Sequence, residues 1–205
     1  MTSPAHATTR PSRKPLYILA ALFFLPLILS FALYYGLRGW RPSGSTHHGD
    51  LIDPARPLPA TELLTPQDQT LDEDFLRGKW TLVYVGDGAC DVHCRDALTL
   101  TRQTRLALND DMQRVQRVFF VTGNCCDMAY LDAQHPGLVT ARLDEAADRA
   151  ILELFPRYGG IPVEQAQRIY IIDPLGNLMM SYAPDAPRKG LLEDLEHLLK
   201  LSHIG

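Results

Sequence analysis

Acidic side chains are absent from the first 43 residues of this 205-residue chain, and residues 16–35 carry no charge of either sign. A helix of ~20 apolar residues is long enough to cross a hydrocarbon core of about 30 Å. The sequence therefore predicts a transmembrane anchor over residues 16–37. The alternative is a cleaved signal peptide, because Ser30-Phe31-Ala32 resembles a small-x-small cleavage site. The apolar run continues beyond that site to Leu37, which favours the uncleaved anchor.

The charges around this run set the expected orientation and exclude one class of partner. Three basic residues precede it, and two follow it: Arg10, Arg13 and Lys14, then Arg38 and Arg41. This slight bias predicts a single-pass membrane protein, with residues 1–15 inside and everything after Trp40 outside. All 24 Asp and Glu but only 15 of the 20 Lys and Arg lie after residue 43, a formal net charge of −9. An acidic exported domain argues against nucleic acid as a partner.

Composition changes again after the apolar run. Residues 38–70 are rich in Pro, Gly, Ser and Thr without a sustained period, which predicts an extended tether. Residues 71–205 show the patterns of a folded domain. The expected elements are a strand at 79–86, a helix at 94–110, a strand at 115–123, a helix capped by Asp144 and ended by Pro156, a hairpin at 168–182 and a final helix through Leu191–Leu199.

The order strand, helix, strand, helix, strand, strand, helix predicts an α/β fold, in which helices cover a sheet whose active end is the carboxyl edge of the parallel strands. This is the thioredoxin-like plan, here tethered to one N-terminal transmembrane helix. The inward face of the helix after Asp144 is expected to contain Ala147, Ile151, Leu154 and Phe155.

Two cysteines mark the carboxyl edge. Cys90 follows the first strand, and Cys94 lies in the opening turn of the next helix, where a helix N-terminus lowers a thiol pKa. Such a pair can carry out thiol–disulfide exchange or hold a copper ion. A structural disulfide is the alternative, although closing so short a loop constrains the unfolded chain little.

Cys125 and Cys126 follow the second strand, so all four cysteines are expected near one edge of the sheet. A disulfide between sequence neighbours is strained, which favours two thiols, a metal contact or pairing with Cys90 or Cys94. The alternative is one buried and one incidental thiol.

The stretches "GDGACDVHCRDALTL", "VFFVTGN" and "IYIIDPLGNLMMSY", on a tethered thioredoxin-like domain, resemble the Sco/SenC family of cytochrome c oxidase assembly proteins. The resemblance covers residues 70–201. It implies a domain that is anchored in the cytoplasmic (inner) membrane and lies outside the cytoplasm, in the periplasm. Such a domain binds copper through the two cysteines and a distal histidine, and it matures the binuclear copper site of the oxidase as metal donor or thiol reductant. The implied partner is an oxidase subunit or another assembly factor.

The chain departs from the family pattern at three positions. Asp91 and Arg95 stand where prolines usually follow the two cysteines, and Gln165 stands at the position of the distal histidine. A neutral amide is a poor ligand for a soft copper ion. The dithiol is intact, whereas the third copper ligand is missing.

Two histidines are candidates to replace it. His93 lies between the two cysteines, where it can lower a thiol pKa or point to water. His135 precedes Pro136 in a loop, where solvent exposure is the default. Metal ligands are therefore sought among Cys90, Cys94, Cys125, Cys126, His93 and His135.

Three functions follow. The first is a thiol–disulfide oxidoreductase in which Cys90 attacks and Cys94 resolves, keeping the copper-site cysteines reduced. The second is a copper-binding chaperone, and the third is a noncatalytic factor that docks on an oxidase subunit.

Overall fold

Helix α1 (Lys14–Gly36) carries no charged side chain after Lys14 and contains Pro26. The computed structural model describes residues 13–36, 47–143, 150–202 and 204. Residues 1–45 form one compact unit, and residues 46–205 form a second. With 23 residues, α1 is long and apolar enough to cross a membrane, which agrees with the span predicted for residues 16–37.

The second unit is built on an eight-stranded mixed sheet. Its strands are β1 (Asp50–Pro57), β2 (Leu63–Leu64), β3 (Thr70–Leu71), β4 (Trp80–Asp87), β5 (Val115–Thr122), β6 (Leu138–Arg142), β7 (Ile169–Ile172) and β8 (Asn177–Tyr182). Their spatial order is β1-β8-β7-β4-β5-β6-β2-β3. Strands β4, β5 and β6 run parallel, and β7 is antiparallel to β4. The parallel strands therefore end on one common edge.

The described part of this unit also contains helices α2 (Val92–Ala107), α3 (Met128–Gln134) and α4 (Arg188–Leu201), and short 3-10 helices at Asn109–Arg114, Ala150–Leu154 and Val163–Gln165. Central strands are buried on both faces because alternate side chains enter two different cores. Leu82 and Phe119 pack with Leu98 of α2 and Leu195 of α4, whereas Val83 and Phe120 belong to the opposite core. This arrangement confirms the predicted α/β thioredoxin-like class.

The folded unit begins earlier than the predicted boundary at residue 71. Strand β1 lies within the range 38–70 assigned to an extended tether, yet it pairs with β8. Asp194 of α4 anchors the approach to β1, since its carboxylate accepts the backbone N–H of His48 at 2.8 Å and of Gly49 at 3.0 Å. Gly190 permits the close approach, because a Cβ there would lie 2.7 Å from Cγ of His48. Because these contacts join residues that are far apart in sequence, local composition does not reveal them, and it indicated a linker instead.

Two other regions differ from the prediction. Of the helix expected after Asp144, residues 144–149, including Ala147, lie outside the described residues, and the remainder forms the 3-10 helix Ala150–Leu154. Ile151 and Phe155 are buried as expected, and Leu154 is half-buried. Helix α3 and strand β6 were not predicted, because seven and five residues are too short for a clear period.

Candidate redox site

Cys90 and Cys94 form a disulfide at the carboxyl end of β4, with their Cα atoms 5.1 Å apart. The turn between β4 and α2 is held by carboxylates at both ends. Asp87 accepts the N–H of Ala89 at 2.8 Å, and Asp91 caps α2 by accepting the N–H of Cys94 at 2.9 Å. Cys90 has a left-handed backbone conformation (φ 47°), which few non-glycine residues adopt. The predicted dithiol thus lies at the start of α2.

The charges around the disulfide both favour and oppose a thiolate. The N-terminus of α2 favours a thiolate at Cys94 in its first turn. The Arg95 side chain adds a positive charge close by: its Nε donates to the Cys90 carbonyl at 3.1 Å, and its guanidinium lies 4.5 Å from the centre of the Tyr130 ring. Asp91 has the opposite effect. Burial, together with the negative charge of Asp91, raises the pKa of Tyr84 to about 12.

A cleft of about 250 Å³ opens beside the disulfide. Its walls come from the ends of β4 and α2 on one side and from residues 164–167 on the other: Tyr84, Gly86, Asp87, Ala89, Cys90, Asp91, Cys94, Glu164, Gln165 and Gln167. Gln165 therefore shares the cleft with both cysteines, at the end of the 3-10 helix Val163–Gln165. Because the Tyr84 phenol stays protonated, the cleft offers a hydroxyl donor and two amide side chains, those of Gln165 and Gln167, around the Cys90–Cys94 pair.

These residues do not fit the copper site that the Sco/SenC resemblance implies. Two cysteines and a neutral amide face one cleft, and an amide is a poor partner for a soft metal beside thiolates. Within the described ranges, no group of three or more His, Cys, Asp or Glu side chains is placed to hold a metal. Among the described residues that line the cleft, the soft ligands are therefore the two cysteine sulfurs alone.

Cys125 and Cys126 form a second disulfide in the loop after β5, which corrects the expectation that neighbouring cysteines would not pair with each other. The loop packs beside the turn that carries Cys90, since a Cβ at Gly88 would lie 2.8 Å from Cα of Cys125. Cys125 is exposed and Cys126 is half-buried. The two cysteine-bearing loops therefore lie side by side, as predicted, and Cys125 pairs with Cys126 rather than with Cys90 or Cys94.

The two candidate histidines lie outside the cleft. His93 is exposed in the first turn of α2 and borders a separate groove. His135 is only 3% exposed, contrary to the default expected for a loop, because the chain after α3 turns inward before β6. Its Nε2 lies 3.2 Å from the Tyr130 hydroxyl. Burial lowers the pKa of His135, and the charges of Arg117 and Arg102 lower it further.

Sequence reasoning missed Tyr84, Gln167 and Tyr130 as neighbours of the redox pair. Tyr84 had a usable signal, since it lies near the end of the strand that leads into the cysteines. Gln167 carries a left-handed φ of 53°, which nothing in the sequence marks. Tyr130 reaches Arg95 only because α3 packs near α2, and α3 was too short to predict.

The fold and the cleft define a thioredoxin-like protein with a dithiol at the start of a helix. The family model described as "Transmembrane-like, thioredoxin-like, C-terminal domain" matches residues 80–202, and the chain belongs to that family. No curated protein sequence matches the chain.

Solved Sco structures share the fold. The apo Sco1 protein of Thermus thermophilus is 19% identical with a TM-score of 0.61, and the match covers 76% of this chain and 99% of that one. Copper-bound ScoI of Bradyrhizobium japonicum is 18% identical with a TM-score of 0.53, covering 70% and 98%. BsSco, a member of the Sco family of cytochrome c oxidase assembly proteins with a disulfide switch, is 12% identical with a TM-score of 0.54, covering 75% and 99%. The fold is therefore Sco/SenC-like, as the resemblance predicted.

Proposed function

We propose that the chain is a membrane-anchored thiol–disulfide redox protein that keeps the copper-site cysteines of cytochrome c oxidase reduced during assembly. The proposal rests on one observation: Cys90 and Cys94 share a cleft with Gln165, where the Sco/SenC resemblance calls for an imidazole. Such a cleft retains the groups needed for disulfide exchange and lacks the third soft ligand for copper. The Sco-like fold supports this direction, as does the membership of BsSco in a family of cytochrome c oxidase assembly proteins.

In the proposed reaction, the reduced protein meets an oxidised pair of cysteines on an extended segment of its partner. The Cys90 thiolate attacks one substrate sulfur, breaks the substrate disulfide and forms a mixed disulfide. Cys94 then attacks the Cys90 sulfur, releasing the substrate as a dithiol and closing the Cys90–Cys94 disulfide. Two electrons and two protons pass to the substrate.

The experiment is a single-turnover assay with the full chain in detergent micelles. The reduced protein is mixed with a disulfide-bonded peptide that carries the two copper-site cysteines, and peptide thiols are counted by alkylation and mass spectrometry. Cys90→Ser should abolish reduction, whereas Val92→Ser, at a position 66% exposed between the two cysteines, should not. Equal reduction by the Cys90→Ser protein would refute the proposal.

Copper titration of the same reduced protein separates this function from metal delivery. Weak copper binding together with peptide reduction supports the reductase. Tight binding of one copper without peptide reduction would instead identify a copper chaperone, and failure of both would leave a docking role.

A further inference from the structure

The loops that carry the two disulfides lie side by side. Strands β4 and β5 are parallel and in register up to Asp87 and Thr122, so the segments that follow leave the sheet together. They touch at two points: a Cβ at Gly88 would lie 2.8 Å from Cα of Cys125, and a Cβ at Gly123 would lie 2.8 Å from the Asp87 carboxylate. Gly88 lets the two backbones approach each other, and Gly123 leaves room for the Asp87 side chain.

The two disulfides differ in access to solvent. Cys90 and Cys94 are 2% and 3% exposed, so the cysteine sulfurs of a folded partner protein have little room to reach them. Cys125 is exposed. Cys126 is half-buried and packs against the hydrophobic cluster that contains both Cys90 and Cys94. The outer pair therefore presents Cys125 to solvent, while Cys126 packs against the same hydrophobic cluster that contains the inner pair.

We propose that Cys125–Cys126 is a second redox centre, which accepts electrons from the dithiol of a folded partner protein and passes them to Cys90–Cys94. This inference rests on the proposed exchange at Cys90–Cys94 and adds the route by which that pair is reduced again. In the cleft beside Cys90, the inner pair then passes the electrons to an extended cysteine-bearing segment of the substrate.

The relay balances as two successive exchanges. A partner thiolate attacks Cys125, the Cys125–Cys126 bond breaks, and the second partner thiol closes the partner's own disulfide, leaving Cys125 and Cys126 reduced. The Cys126 thiolate then attacks Cys90, and the Cys90–Cys94 bond breaks. Cys125 attacks Cys126 to restore the outer disulfide and releases Cys90. Two electrons and two protons move from the partner to the inner pair.

The start of α2 favours this direction of bond breaking. When Cys126 attacks Cys90, the leaving group is the Cys94 thiolate, which lies in the first turn of α2 and is stabilised by the helix N-terminus. Cys90 is then the exchange sulfur for both the outer pair and the substrate. Cys94 is the leaving group in the relay and the resolving sulfur when the substrate is reduced.

The first test traps the transfer intermediate. The full-chain variant Cys94→Ser/Cys125→Ser retains only Cys90 and Cys126, and mild oxidation should join them in an intramolecular disulfide, detected by non-reducing peptide mapping with mass spectrometry. Cys94→Ser/Cys126→Ser, which retains Cys90 and the outward Cys125, should form its disulfide more slowly. Free thiols or only intermolecular dimers in the first variant would overturn the proposal.

The second test measures the entry of electrons. The oxidised full chain is reduced either by a thioredoxin-sized dithiol protein or by dithiothreitol, and the rates at which Cys90 and Cys94 become alkylatable are compared. In Cys125→Ser/Cys126→Ser, the ratio of the protein rate to the dithiothreitol rate should fall about tenfold, because access of the large reagent is lost. Asn124→Ser, an exposed change in the same loop, should keep the ratio.

An unchanged ratio in the double variant would overturn the relay while leaving the reductase proposal intact. Peptide reduction that survives Cys90→Ser would instead refute the reductase proposal, on which the relay rests. The two ideas therefore fail through different measurements.

Discussion

Gln165 is the single residue on which the choice between copper and dithiol chemistry depends. It shares the cleft with Cys90 and Cys94, and its amide is a weak ligand for a soft metal. We expect Gln165→His to raise the affinity of the reduced protein for Cu(I) by about tenfold or more, the scale on which even outer-shell partners change metal affinity. Competition with a chromophoric Cu(I) chelator measures the change.

Gln165→Asn is the matched control, since it keeps an amide at the same position and should leave copper affinity low. Equal affinities for all three proteins would contradict a ligand role for this position. Tight binding by the unmodified chain would show that another group completes the site, and single substitutions of Cys125, Cys126, His93 and His135 would then identify it.

Asp194 is a second residue with a defined energetic role. Burial alone would raise the pKa of its carboxyl, but hydrogen bonds from the Gly49 N–H, the Tyr182 hydroxyl and His48 outweigh that effect and lower it. Asp194→Asn removes a charged acceptor of several buried donors and should destabilise the fold by roughly 1–3 kcal/mol in urea unfolding at neutral pH. Glu193→Gln, with a side chain 57% exposed, should cost less than about 0.5 kcal/mol.

The sign of the pH dependence follows from the lowered pKa. A carboxyl that titrates lower in the folded state stabilises the protein above its unfolded pKa of about 4, and this stabilisation is lost as pH falls through the folded value. The unmodified protein should therefore lose more stability on acidification than Asp194→Asn does. Parallel pH profiles for the two proteins would contradict the assignment.

At the scale of elements, the packing of the two cysteine loops depends on Gly88. A Cβ there would lie 2.8 Å from Cα of Cys125, a backbone atom that cannot rotate away. Gly88→Ala should push the loops apart and destabilise the protein by roughly 1–3 kcal/mol, as overpacking does. Thermal unfolding of the full chain in micelles measures the loss. Ala89→Ser, at the exposed neighbouring position, should leave the midpoint nearly unchanged, and equal midpoints for both variants would count against a tight contact between the loops.

Local patterns predicted the elements that are long or strongly apolar. Strands β4 and β5, helix α2, the β7–β8 hairpin and helix α4 all match their predicted ranges closely. Patterns failed where structure depends on distant contacts. The Asp194 carboxylate accepts hydrogen bonds from the backbone N–H groups of His48 and Gly49, which are 146 and 145 residues away in sequence. These bonds fix the chain just before the edge strand β1, in a stretch whose composition predicted a tether.

The same distinction applies to the site. The helix-start position of Cys90 and Cys94 is a local property, and the sequence indicated it. Counting back from the β7 strand also placed Gln165 correctly, because the spacing between the 3-10 helix and the strand is short. The contacts of Tyr84, Tyr130 and Gln167 around the pair depend on packing between elements. The burial of His135 likewise depends on how the chain turns between α3 and β6.

At the scale of the whole molecule, the proposed function depends on the side of the membrane on which the cysteine-bearing domain lies. A dithiol that reduces copper-site cysteines is useful where oxidation threatens those cysteines, which is outside the cytoplasm. The flanks of α1 agree with that side, since three basic residues precede the apolar run and the first acidic residue is Asp50.

A reporter active only in the periplasm, fused after Gly205, should therefore give a signal in bacterial cells. Replacing Arg10, Arg13 and Lys14 with Asn should reduce that signal, because the short basic flank holds the N-terminus inside. The same three substitutions should increase the signal of a reporter active only in the cytoplasm, fused at the same point. A strong cytoplasmic signal from the unmodified fusion would reverse the orientation and place the dithiol in a reducing compartment. A mature chain that starts at Leu33 would show instead that the apolar run is a signal peptide, and the domain would then reach its partner without an anchor.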